Sequence, residues 1–587
     1  MSADWGVSDM KAALPEHSAG PSTSEEPKHR DKPVGDWGQV FKYDYTENDV
    51  DRQWGGNSAV YEWQGEEGDV GPENPELELQ LFGAPDERFG AGLDISKIYS
   101  INVSQEGEKR IAPIFKFEAA GLHPVMLKNV QMSGYETPTP IQKYCIPAIN
   151  MGYDLIAIAQ TGSGKTAAYL IPILNHLMGK AKKLAAPRLP SIEYDNGAPL
   201  TLAEPLVLVI CPTRELAIQI FDEARKFCYR TMLRPCVVYG GGPIRDQVQQ
   251  IGRGCDLLIG TPGRLIDLMQ RGQLLTFRRL RFMVIDEADE MLDTDWQAEF
   301  ETIFTGGDHE EGNVRYMLFS ATFPAAVRRL ARDHLATNHL RVRVGRIGST
   351  HENIKQDIVF VRQDLKRSAL LDLLYSIEPG RTIIFVNNKR TADEIDDFLF
   401  HKMFPCTSMH SDRTQRERED AMRAFRAGKA PLLVATGVSA RGIDVRNVKH
   451  VINYDLPSYD HGGIREYTHR IGRTGRIGHT GTATSFYTDR DEALAEDLTK
   501  ILMETKQPVP DFLQQYIPEG ADPSNFQIED DKSEDEEGNE DDPWNTGGSK
   551  PAGGDGASAA NGDAWGTGAP TSGTEGNASA DWGMQQW

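Results

Sequence analysis

Apolar positions between residues 113 and 518 fall into short unbroken runs, separated by stretches with helical periodicity. The runs are Asp154-Leu-Ile-Ala-Ile-Ala159, Leu206-Val-Leu-Val-Ile-Cys211, Phe282-Met-Val-Ile-Asp286, Thr382-Ile-Ile-Phe-Val386 and Pro431-Leu-Leu-Val-Ala435. A half-exposed strand alternates apolar and polar side chains; these do not. They therefore predict strands buried on both faces of a parallel sheet, with the intervening helices covering it. The pattern occurs twice, joined near Arg343–Gln356. It predicts an α/β chain of two tandem domains, residues 113–345 and 346–518, each a parallel sheet flanked by helices. Residues 180–205 carry four prolines and are expected to form a surface loop between a helix and the next strand.

The ends follow another rule. Residues 1–112 and 519–587 are polar and rich in Gly, Pro, Ser and acids, without periodicity, which predicts disordered tails. The formal charge of −24 resides there: 10 basic against 23 acidic residues give −13 before residue 113, and 2 against 16 give −14 after 518. The middle keeps +3, so local basic grooves remain possible in a chain that is acidic as a whole. Eight of nine tryptophans lie in the ends, leaving Trp296 as the one expected in a globular part. Six cysteines, none in Cys-x-x-Cys spacing, point to reduced buried thiols and not to disulfides or zinc. No apolar stretch approaches a membrane span, and the first residues lack the basic and apolar segments of a secretory signal.

Candidate chemistry begins at Ala159-Gln-Thr161-Gly162-Ser163-Gly164-Lys165-Thr166, after a predicted strand and before an apolar helix. Backbone N–H groups of such a loop converge on phosphate at a helix N-terminus. Lys165 would supply charge to the outer phosphates of ATP, and Thr166 a hydroxyl to Mg2+. Val284-Ile285-Asp286-Glu287-Ala288-Asp289 ends another strand in carboxylates. Asp286 is placed to hold Mg2+ through water and Glu287 to orient or deprotonate an attacking water.

With Asp286-Glu287-Ala288-Asp289 on the page, residues 113–518 resemble the DEAD-box helicases, and the resemblance implies a pair of RecA-like domains that close over ATP and RNA. Gly134-Tyr135-Glu-Thr-Pro-Thr-Pro-Ile-Gln142 resembles the family's Q motif, with the isolated aromatic Phe117 seventeen residues upstream of Gly134. By that resemblance Phe117 stacks on adenine, unless it is simply a core residue; Gln142 reads the adenine edge, and Tyr135 lines the same site. RNA contacts are implied for Pro212, Thr213, Arg214, Gly241, Thr261, Pro262, Gly263 and Arg264 in the first domain. Arg390, Arg418, Thr436 and Gly437 are their counterparts in the second. Ser320 and Thr322, in Ser320-Ala321-Thr322, would bond to the acidic loop in the closed state and couple hydrolysis to strand separation. His469 would relay contacts to that loop, Arg473 and Arg476 would be arginine fingers, and Asp444 would accept a hydrogen bond from the ribose.

Two departures stand out. His410-Ser411-Asp412 has Ser where the family usually has Gly, which would strain a turn needing positive φ. Tyr459–Glu466 is longer than in relatives and is expected to bulge as a loop close to the fingers. Within the family the chain is most similar to the Vasa and Ded1-like group, leaning to Vasa through Val509-Pro-Asp-Phe-Leu513 and the acidic stretch ending at Trp544. That implies a monomeric, cytoplasmic RNA helicase in translation or germline RNA regulation, with RNP or germ granules as its setting and nuclear shuttling left open. The alternatives are a DNA-translocating helicase and an ATP-gated RNA clamp or granule scaffold. The ends lack Arg-Gly repeats but carry Asp4-Trp5-Gly6, Asp36-Trp37-Gly38, Trp54-Gly55, Trp565-Gly566 and Asp581-Trp582-Gly583. These are expected anchors for partners such as translation-initiation, Argonaute-type or granule proteins, because tryptophan buries a large area at low entropic cost.

Overall fold

A computed structural model describes residues 35–40, 70–84, 102–178, 201–292, 296–306, 308–309, 312–336, 338–345, 353–440, 445, 447–475, 480–520 and 526. The chain divides after Ile528 into two units, and every described residue belongs to the first.

The first lobe is built on an eight-stranded sheet in the order β1-β8-β2-β7-β6-β3-β5-β4. Its strands are β1 Val103–Glu106, β2 Leu155–Ile158, β3 Val207–Ile210, β4 Pro235–Val238, β5 Leu257–Gly260, β6 Phe282–Ile285, β7 Arg315–Ser320 and β8 Leu340–Val344. All pairings are parallel except that of β1 with β8. Strands β2 to β6 are buried at every position, as their continuous apolar runs require. The second lobe holds a parallel six-stranded sheet, β11-β12-β10-β13-β14-β9. Here β9 is Ile354–Phe360, β10 Arg381–Val386, β11 Cys406–Met409, β12 Leu432–Thr436, β13 Val448–Asn453 and β14 Gly481–Tyr487. Along β10, Ile383 and Phe385 join one core and Ile384 and Val386 the other, so a single run feeds both faces. Each such fully buried apolar side chain contributes about 1.5–3 kcal/mol. The fold is that of two tandem RecA-like domains.

The first 112 residues hold more structure than their composition suggests. β1 lengthens the first sheet, so the first lobe starts some ten residues before the expected boundary at 113. Gln105 fixes the turn that follows, its side chain bonding to both the N–H and the C=O of Ile111. A helix at Pro75–Phe82, capped by Asn74 and started by Pro75, packs Leu77, Leu81 and Phe82 against Tyr229. Trp37, only 6% exposed, is embedded in the second lobe. Trp296 is therefore not the only tryptophan placed against the globular part.

Other expectations resolve differently. Five of the six free cysteines are buried and Cys406 is half-buried. Tyr459–Glu466 does not bulge: it forms a 3-10 turn at Tyr459–His461, passes Gly462 at φ +90°, and becomes the start of the helix Gly463–Ile471. The extra glycines supply the left-handed joint that lets one helix follow the other directly. Ser411 is not among the residues with positive φ, so glycine is not required there. Residues 201–205 of the proline-rich loop are described: Ala203 bridges to Leu275, and the Thr201 hydroxyl donates to Gly252 O at 2.6 Å. Residues 179–200 of that loop lie outside the described residues.

Candidate functional site

Strands β2, β7 and β6 lie side by side, and their C-terminal ends bring three motifs to one edge. In open α/β sheets that edge is where ligands bind. The phosphate loop leaves β2 with Ala159 N donating to Ser320 O at 3.0 Å, and turns through Gly162 and Gly164 at φ +78° and +85°. Lys165 opens the helix Lys165–Met178; it is buried, and its Nζ donates to Ala159 O at 2.8 Å, inside the loop. Thr161 and Thr166 are half-buried at the loop's mouth, and Ser163 is buried with its Oγ unpartnered among the described residues. Gln142 is fully buried and already engaged: it accepts from Thr139 N and donates to Gly164 O, both at 3.0 Å. These bonds commit one amide N–H and one oxygen lone pair to shaping the loop. Phe117 is 2% exposed, belongs to the first lobe's core, and meets Tyr135 edge-on at 6.4 Å between centroids. In this arrangement it is the core residue, and the expected adenine stacking is not offered. Tyr135 is half-buried, its hydroxyl 3.4 Å from Glu223.

The acidic motif follows β6. Asp286 accepts from the Tyr169 hydroxyl and from Glu287 N, each at 3.0 Å. Burial pushes its pKa up, while Lys165 and Tyr169 pull it back. Glu287 sits at φ +53°, where non-glycine residues are rarely held without cause. It is 8% exposed, and Oε2 has no partner among the described residues. Burial, then Glu290, hold its carboxyl well above the usual range; Arg473 and Lys165 oppose them. Asp289 accepts at 2.8 Å from both the N–H and the hydroxyl of Thr322, which ties Ser320-Ala321-Thr322 to the acidic loop. Ser320 takes no part in that tie, because its Oγ is buried and unpartnered among the described residues.

The second lobe completes this cluster. The helix Gly463–Ile471 places His469 Nδ1 3.3 Å from Glu290 Oε1, and Nε2 4.0 Å from Asp289. Burial alone would lower its pKa, but Glu290 and Asp289 outweigh that and the net shift is upward. Arg473 is 3% exposed and bonds to His469 O at 3.1 Å; its charge acts on Glu287. Asp444 and Arg476 lie outside the described residues.

The remaining strand ends, β3, β5 and β4, carry the basic and hydroxylic segments. Thr213 and Thr261 are the N-caps of the helices Arg214–Phe227 and Pro262–Gln270, and Pro212 is half-buried just ahead of the first. Pro262 is buried, whereas Gly263 is exposed with open space above it. Arg264 donates to Gln247 Oε1 at 2.9 Å. Gly241 stands at φ +80° with the Arg214 guanidinium directly over it: a Cβ there would come within 2.2 Å of Nη1 and push the side chain aside. Arg214 in turn donates to Gln415 of the second lobe at 3.1 Å. Arg418 lies 2.9 Å from Glu215 of the first. Both arginines, expected on RNA, join the lobes in this arrangement. In the second lobe Arg390 is exposed, Thr436 is half-buried, and Gly437 lies against Glu466, leaving no room for a Cβ.

Known proteins agree with this geometry. The DEAD/DEAH box helicase family matches residues 139–330, and the helicase conserved C-terminal domain matches residues 365–478. A S. cerevisiae Dbp5 variant bound to a Gle1 variant and IP6 is 30% identical at a TM-score of 0.53, covering 66% of this chain and 93% of that one. This chain belongs to the DEAD-box RNA helicase family. As such it is an RNA-dependent ATPase. The chain is also similar to S. cerevisiae Dbp5 bound to RNA and ADP-BeF3, at 29% identity, TM-score 0.56 and coverage of 66% and 93%. Mss116p bound to ssRNA and AMP-PNP is 26% identical at a TM-score of 0.55, with 67% and 78% covered.

Several working residues of this DEAD-box enzyme lie beside its motifs or outside them. Glu290, one residue past the DEAD tetrapeptide, holds His469. Tyr169, one turn into the phosphate-loop helix, holds Asp286. Glu215 and Gln415 receive the two arginines across the lobes. A fourth carboxylate beside a motif of three was the available signal for Glu290. Tyr169 becomes visible once the first sheet is folded, and Glu215 and Gln415 only once the lobes are brought together.

Proposed function

We propose that this DEAD-box enzyme is a non-processive remodeller that grips single-stranded RNA across both lobes, melts short duplexes locally and displaces bound proteins. The observation that carries the reading is the cross-lobe cluster: His469 and Arg473 of the second lobe meet Glu290, Asp289 and Glu287 of the first. In that arrangement Lys165 binds the outer phosphates, Glu287 orients water and takes its proton, and Arg473 steadies charge building on the transferred phosphoryl group. Hydrolysis would thus require closure. Thr166 and Asp286 are hard oxygen donors at the loop's mouth and suit Mg2+, which keeps several of its own waters. When bound, the ion would neutralise phosphate charge. Two of the similar structures hold RNA together with a nucleotide analogue, which supports RNA as the substrate here. Backbone and 2′-hydroxyl contacts would favour RNA over DNA without reading sequence.

The finer assignment follows the sequence: a Vasa/Ded1-like enzyme, leaning to Vasa, monomeric, acting in the cytoplasm or in RNP granules on translation or germline RNA. Partners for its Trp-Gly segments would be translation-initiation, Argonaute-type or granule proteins. The test is RNA-stimulated ATPase and unwinding with RNA and all-deoxy duplexes. Lys165→Ala should remove stimulated turnover; undiminished turnover, or equal use of all-deoxy substrate, overturns the reading. Imaging of the tagged protein tests its location.

A further inference from the structure

In Asp36-Trp37-Gly38 each residue makes a distinct physical contribution. Trp37 is buried in the second lobe's core cluster with Leu370, Leu374 and Phe404, meeting the Phe404 ring edge-on at 5.8 Å, and Tyr375 packs against Phe404 at 5.6 Å. Asp36 Oδ1 accepts from Gly38 N at 2.9 Å, closing a small turn that presents the indole. Gly38 stands at φ +89°, which L side chains rarely adopt. Gly35 runs so close to Pro379 that a Cβ would come within 2.5 Å of it. The seat is a pocket with specific demands: a turn-forming acid, an indole and a left-handed glycine. The fit has one defect, since the indole N–H is buried and finds no acceptor among the described residues. A buried donor left unpaired weakens the docking.

The same three residue types in the same order recur at Asp4-Trp5-Gly6. We propose that the Trp37 pocket is an exchangeable receptor for Asp-Trp-Gly segments, with Asp4-Trp5-Gly6 of this chain as the alternative occupant. The turn-forming acid, the indole and the glycine are all present in the second tripeptide; Ala3 stands where Gly35 does, so that segment must leave the pocket by a backbone path that clears Pro379. A segment tethered to the chain reaches the pocket at an effective concentration up to about millimolar, so exchange needs only modest intrinsic affinity.

The probe is a fluorescent peptide of residues 1–10, titrated by anisotropy into full-length protein. Asp581-Trp582-Gly583 repeats the tripeptide and is removed as a competitor. A chain carrying Trp5→Ala, Trp37→Ala and Trp582→Ala should bind the probe saturably. It should release the probe to unlabelled peptide 33–42, and bind it more weakly when Phe404→Leu, which removes the ring that meets the indole, is added. Restoring Trp5 alone should weaken probe binding roughly tenfold or more through occupation by the tethered segment. Retained RNA-stimulated ATPase establishes that each variant is folded. Failure of the triple variant to bind, or equal binding of a probe with Trp5→Ala, overturns the receptor. Unchanged binding on restoring Trp5 overturns Asp4-Trp5-Gly6 as its occupant.

Discussion

Arg418 offers the sharpest way to separate two physical roles for one side chain. In the family's motif it contacts RNA phosphate; here its guanidinium lies 2.9 Å from Glu215 of the other lobe, with side-chain exposures of 13% and 6%. Removing one member of a buried pair leaves the other charge uncompensated, at a cost of about 3–5 kcal/mol. The approach is off the hydrogen-bonding line, since Arg418 Nε and Glu215 Oε1 have no hydrogen-bond partner among the described residues. The lower end, about 3 kcal/mol, is therefore expected, or a loss of about a hundredfold in the closed population. Arg418→Met and Glu215→Gln, alone and together, should be followed by inter-lobe FRET with RNA and a non-hydrolysable nucleotide, and by the RNA concentration for half-maximal ATPase. Each single variant should open the lobes, and the double should recover part of the loss, with a coupling of about 1–3 kcal/mol. If Glu215→Gln closes normally and Arg418→Met only lowers the salt slope of RNA binding by about one, the residue works on phosphate and the argument fails.

Three further outcomes follow from the site. Glu287→Gln should cut turnover by about 10²–10⁴-fold while RNA binding persists, as befits loss of a general base; single-turnover hydrolysis at the wild-type rate would refute that role. Because burial and Glu290 raise the Glu287 carboxyl, activity should fall off as pH drops through a value above the ordinary carboxylate range. Arg473→Lys, which keeps the charge, should shift that limb less than Arg473→Ala, and identical profiles would remove Arg473 from the argument. His469 has a raised pKa in the closed form, so its contribution to closure is complete below its ordinary value and lost as pH rises through the raised one. FRET-detected closure should weaken along that limb, and His469→Gln should flatten it. The Tyr229 hydroxyl accepts from Asn74 N at 3.0 Å, so Tyr229→Phe should cost about 1–2 kcal/mol of docking for the helix Pro75–Phe82. Hydrogen exchange of that helix should quicken, and unchanged exchange would refute the anchor.

The continuous runs at Leu155–Ile158 and at residues 383–386 were legible because a strand buried on both faces needs apolar side chains at every position. The phosphate loop and acidic turn were legible because their chemistry is local, within eight residues each. Gln142 and Phe117 were harder, because an amide can read a base or brace a loop, and a phenyl ring can stack or fill a core. Only packing decides, and it places both inside the first lobe. Trp37 was hidden by its surroundings: acidic, glycine-rich sequence conceals one residue whose pocket is built far along the chain, around Leu370, Leu374 and Phe404. The pairs Arg418 with Glu215 and His469 with Glu290 join residues far apart in the chain, and no periodicity records that.

Those same pairs explain why closure and chemistry are inseparable. Asp286, Glu287, Asp289 and Glu290 are four carboxylates within five positions, all buried in the closed arrangement. Burial without countercharge disfavours their ionised forms strongly. Among the described residues the first lobe supplies Lys165, the Thr322 and Tyr169 donors and the Glu287 N–H; the charge that faces Glu287 and Glu290 across the lobes comes from Arg473 and His469. With the lobes apart, water would solvate the acids and relieve the burial that raises the Glu287 carboxyl. With the lobes together, the same step that excludes water brings in the guanidinium and the imidazole. A ligand that favours closure, as RNA lying across both lobes would, thereby sets the protonation and the environment of the residue that activates water, without touching it.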